Sequence, residues 1–155
     1  MTLKLSGIAL AVAFAFTTGA QAQSTMKAKD MEEERIEQAA KVDKAKCDAM
    51  KANAKDICMA EAKGKEKVAK AELDAKHASD KVKAERKVKE TKAEAAFEVA
   101  KQKCDDQKGE AKDACMKQAR VDRDRAKGTA EKQAEAKEDK RAATGSTAPD
   151  KPKKY

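Results

Sequence analysis

Four cysteines are the residues of this chain best placed to do chemistry, and they come in two matched sets. Cys47-Asp48-Ala49-Met50-Lys51-Ala52-Asn53-Ala54-Lys55-Asp56-Ile57-Cys58 recurs as Cys104-Asp105-Asp106-Gln107-Lys108-Gly109-Glu110-Ala111-Lys112-Asp113-Ala114-Cys115. The two units share both cysteines, the Asp after the first, and the Ala-Lys and Asp before the second. Met59 and Met116 follow, so each unit ends in Cys-Met. Such sets could form disulfides, ligate a soft metal such as copper(I), or present reactive thiols. A zinc site ordinarily uses a shorter Cys-to-Cys spacing than this one.

Other chemistry has little to work with. The single histidine, His77, sits amid Lys76, Asp80 and Lys81 and reads as an exposed helix residue. No Ser or Cys has a nearby base in a pattern of nucleophilic catalysis. The carboxylates fall on solvated faces, where nothing would tune them for acid–base work. The expectation is a non-enzymatic protein with no catalytic residue, no cofactor and no metal site.

Disulfides set a geometric question. On one straight helix, residues eleven apart lie about 16 Å apart along the axis. A disulfide needs Cα atoms about 4.4–6.8 Å apart. Either each unit folds into an antiparallel hairpin, or the cysteines bond to another repeat or another chain. The unit midpoints carry turn signals. Gly109 suits a helix C′ position with positive φ. Asn53 suits an N-cap, with Asp56 three residues on as a capping partner. The hairpin reading pairs Cys47 with Cys58 and Cys104 with Cys115. Continuous helices with intermolecular or cross-repeat bonds are the alternative, and free thiols or metal ligation a third.

The elements that position the units are legible from composition. Residues 1–22 read as a signal peptide: Lys4, an apolar run from Leu5 to Phe16, then Ala20-Gln21-Ala22. Cleavage between Ala22 and Gln23 would leave no membrane span, since the run is too short for one. Export to the periplasm or beyond fits the use of disulfides. The remaining chain holds ten Ile, Leu, Val and Phe residues and a single Tyr. That is far under what an ordinary core requires. Ala, Lys, Glu, Gln and Arg take their place, and these are the strongest helix formers. Glu37–Lys41, Glu61–Lys65, Glu66–Lys70, Glu72–Lys76, Glu85–Lys89 and Asp113–Lys117 are spaced to pair along a helix.

The predicted fold is therefore all-α: three long charged, Ala-rich helices over about 27–51, 54–108 and 111–142. Two stapled hairpins join them, and Gly64 and Gly128 are weaker points. Residues 143–155, with Pro149, Pro152, Lys151, Lys153 and Lys154, read as a disordered basic tail. The formal net charge of +8 favours an anionic envelope surface or an envelope protein as partner. Interspersed acids and scarce aromatics argue against nucleic acid. Self-association stays open.

Three resemblances follow from these residues and their composition. The stretch from Glu61 to Glu72, EAKGKEKVAKAE, resembles the helical spacer of the envelope protein TolA. The paired Cys-Asp…Ala-Lys-Asp-x-Cys units resemble small exported proteobacterial proteins often labelled as TolA-like cell envelope biogenesis proteins. That resemblance implies an exported, structural or envelope-associated helical protein. The composition also resembles desiccation-protection proteins of the LEA type, which implies a stress-protective or chaperone-like role as the alternative.

Overall fold

The computed structural model describes residues 19–143, with side chains from Lys27 onward. Four α-helices occur among them: α1 (Gly19–Cys47), α2 (Ala52–His77), α3 (Lys81–Cys104) and α4 (Glu110–Ala143). The predicted signal peptide lies outside the described residues up to residue 18. The predicted cleavage point between Ala22 and Gln23 falls inside the first turns of α1. The predicted tail lies outside them beyond Ala143, which closes α4.

The expected single helix over 54–108 is two helices. The chain reverses at Ala78-Ser79-Asp80, where Ala78 leaves α2 in an extended conformation (φ −69°, ψ 139°). Asp80 caps α3 by accepting the Lys83 amide at 3.0 Å. Lys81 Nζ donates to the last free carbonyls of α2, Ala75 at 3.0 Å and Lys76 at 2.7 Å. Both ends of the break thus carry a side-chain cap, without a glycine or proline. A continuous rod of this length would leave its apolar stripe in water. Folding it in half lays α2 along α3 and brings Gly64 against Ala95.

Each helix packs only on its neighbours in the chain. Among the described residues α1 touches neither α3 nor α4, and α2 does not touch α4. The arrangement is an open antiparallel row, not a closed bundle. Alanine sets its thin core: Ala40, Ala62, Ala93, Ala119, Ala130 and Ala134 are buried, with Leu73. The largest fully buried side chains are Cys47 and Cys104. No polar or charged residue is buried among the described residues. Gly64 does not break α2. A Cβ placed on it would lie 3.1 Å from the Ala95 Cβ, so the glycine lets α2 and α3 approach closely. Gly128 lies inside α4.

Candidate functional site

The strongest constellation is the pair of stapled turns. α1 runs into the first turn and α2 leaves it; α3 runs into the second and α4 leaves it. An antiparallel row therefore places both turns at the same end. Cys47 is bonded to Cys58 with Cα atoms 5.5 Å apart, and Cys104 to Cys115 at 5.6 Å. Both separations suit an unforced disulfide. Cys47 and Cys104 are sealed from solvent, while Cys58 and Cys115 are half-buried. No described cysteine is free.

The shared residues of the repeat hold one local geometry. The Met50 amide donates to the Cys47 carbonyl at 3.0 Å, and the Gln107 amide to the Cys104 carbonyl at 3.0 Å. Asp48 reaches across its turn to Lys55 at 2.9 Å, and Asp105 to Lys112 at 2.8 Å. The shared Asp and Lys are thus an ion pair that spans each turn beside the disulfide. Both pairs are exposed enough that their contribution is small.

Two turn assignments need correction. Gly109 does have a positive φ, of 57°, but it stands directly before α4, not at the end of α3, which Asp105 caps. Its carbonyl accepts the Asp113 amide at 3.2 Å and so starts α4. The equivalent residue of the first unit is Ala52, which carries a positive φ of 49° with a side chain attached. Asn53 is not an N-cap. Lys51 precedes α2 in extended conformation without a side-chain cap, and Asn53 lies inside the first turn. Its Nδ2 donates to the Gln102 carbonyl at the end of α3, at 2.7 Å. That bond ties the first stapled turn to the second.

The repeat extends well beyond the cysteine units. Cys47 and Cys104 are 57 residues apart, and the same offset relates other contacts. Glu37 pairs with Lys70 at 2.7 Å, and Glu94 with Lys127 at 2.9 Å. Glu32 meets Lys76, and at the equivalent positions Lys89 meets Gln133. Buried Ala62 corresponds to buried Ala119, and buried Leu73 to buried Ala130. The α1–α2 and α3–α4 hairpins are two copies of one structural unit. One substitution in it is compensated: Ala40 becomes Phe97, and the Lys44–Glu66 pair of the first hairpin (2.6 Å) gives way to Arg123 over the Phe97 ring at 4.5 Å.

Charges between helices are paired. The helix-internal pairs expected from spacing are partly displaced by them. Glu66–Lys70 is present at 3.8 Å, but Glu37, Glu72 and Glu85 reach instead to Lys70, Lys92 and Lys137 on neighbouring helices. The hydrogen bond from Lys70 holds the Glu37 carboxyl below the usual carboxylate range. Hydrogen bonds from Lys76 and Lys137 do the same for Glu32 and Glu85. Hydrogen bonds to Asp74, Glu37 and Glu94 raise Lys29, Lys70 and Lys127 in turn.

His77 closes α2 and is exposed. Among the described residues no three His, Cys, Asp or Glu side chains converge as metal ligands would. No helix among them is long and apolar enough to cross a membrane.

No family model, no curated protein and no solved structure matches the chain.

Proposed function

We propose that this chain is an exported, non-enzymatic helical protein with a structural role in the cell envelope, of the TolA-like exported type. The observation that carries the reading is the closure of each disulfide within its own hairpin, beside an Asp–Lys pair shared by both units. With a core made largely of alanine, the covalent staples contribute what buried area does not. Such staples persist in an oxidising compartment. The opening residues, from Lys4 through Ala20-Gln21-Ala22, supply the export signal. The remaining surface of interspersed charges suits an anionic envelope surface or an envelope protein.

Fractionation of expressing cells tests the reading. The expected result is a species beginning at Gln23, recovered with envelope, peptidoglycan or an envelope protein complex. Recovery of the uncleaved chain from the cytoplasm, or its absence from every envelope fraction, would refute the proposal. A coil in dilute buffer that becomes helical only on drying would favour the stress-protective role instead.

A further inference from the structure

The outward face of α1 carries a stripe of exposed residues. Ala28, Met31, Arg35, Gln38, Val42 and Ala45 recur at alternating intervals of three and four, the seam of a heptad repeat. Met31 is 58% exposed and Val42 55%. The opposite side of α1 holds Ala40 and Cys47, both buried.

The internal duplication shows what such a stripe takes. The 57-residue offset turns Met31, Arg35, Gln38 and Val42 into Val88, Lys92, Ala95 and Val99. In α3 that stripe lies against an antiparallel helix, α2. Ala95 faces Gly64 there, and Lys92 pairs with Glu72 at 2.7 Å. Among the described residues, no helix lies on the α1 counterpart.

We propose that the outer face of α1 binds the same face of a second copy, antiparallel about a two-fold axis. In that register Met31 meets Val42 of the second copy, Arg35 meets Gln38, and Ala28 meets Ala45. The flanking charges are complementary in the same register. Glu34 faces Lys41 of the second copy, and Lys27 faces Asp48, each twice by symmetry. Glu34 and Lys41 are exposed, and neither is in an ion pair among the described residues. A parallel pairing would stack Arg35 on Arg35 and set Lys41 against Lys46. The outer face of α4 is a poorer occupant. There Val121 stands at the position of Gly64, where a Cβ already crowds the facing helix.

Sedimentation of the purified oxidised protein from micromolar to millimolar concentration tests this. A reversible monomer–dimer equilibrium is expected. Glu34→Lys alone and Lys41→Glu alone should each weaken the dimer on the order of tenfold, because each sets like charges face to face. The double variant Glu34→Lys/Lys41→Glu should restore it. Val42→Glu should abolish it, with helicity unchanged by circular dichroism because the residue is exposed in the monomer. A monomer at every concentration would overturn the proposal. So would a dimer indifferent to Val42→Glu, or single charge variants that the double variant does not rescue. None of these outcomes bears on the envelope role, which the fractionation tests by itself.

Discussion

Asn53 and Gln102 are joined by a 2.7 Å hydrogen bond from a side-chain amide on α2 to a backbone carbonyl on α3. It links the start of α2, just past the turn of one stapled hairpin, to the end of the helix entering the next turn. The two hairpins carry their own covalent closures, but no disulfide joins one hairpin to the other. Their docking rests on the α2–α3 contact, the Glu72–Lys92 pair and this bond. Asn53→Ala should therefore lower stability by about 0.5–1.5 kcal/mol. The Gln102 carbonyl keeps the Asp105 amide as a donor, so it is not left orphaned. Thermal unfolding of the oxidised protein measures this. An unchanged melting temperature would show that the bond contributes nothing to docking.

Ala52 and Gly109 occupy the same position of the repeat with φ of 49° and 57°. Glycine adopts this region without penalty, and an L-residue does not. Ala52→Gly should stabilise the protein and Gly109→Ala should destabilise it, each by about 1 kcal/mol. The space around Gly109 is open, so no clash confuses the second effect. Denaturant titration of both variants decides it. Shifts of the same sign would contradict the shared turn geometry.

Reduction should loosen the hairpins more than it melts the helices. Each staple closes a short loop worth roughly 2–3 kcal/mol in the chain-entropy description. Helix propensity does not depend on the staples. X-ray scattering should show a longer particle on reduction, with circular dichroism little changed. A non-reducing peptide map should contain Cys47–Cys58 and Cys104–Cys115 peptides. A Cys58–Cys104 peptide, or helicity lost in step with compactness, would contradict the account.

Acid should loosen the interhelical contacts. The Glu32, Glu37 and Glu85 carboxyls are held below their usual range by lysine hydrogen bonds. A carboxylate depressed in the folded state stabilises it above the unfolded pKa, and that stability fades as pH falls through the folded value. The raised Lys29, Lys70 and Lys127 act at the other limit, and their share is lost as pH climbs past the usual lysine range. Stability should be flat near neutrality and decline below about pH 4. Solvent exposure of these groups keeps the decline modest. Melting temperature against pH, at low and high salt, checks both points. A rise in stability on acidification would reverse the assigned sign.

Much of this protein is settled by local sequence. Ala, Lys and Glu in quantity, with no proline before Pro149, dictate helix nearly throughout the described chain, because propensity is a local property. The repeated cysteine units mark the two turns, because a bond between residues eleven apart cannot coexist with a straight helix. Tertiary structure decided what remained. The reversal at Ala78-Ser79-Asp80 carries only a Ser-Asp cap signal. It is selected because halving the rod packs α2 along α3 and lets Gly64 meet Ala95. Glu37 takes Lys70 across the interface, although Lys41 stands one helical turn away. Spacing along one helix cannot say which neighbour a long side chain will reach. Asn53 reads as a cap and serves as a cross-link, because the carbonyl that it binds lies 49 residues away in sequence and one helix away in space.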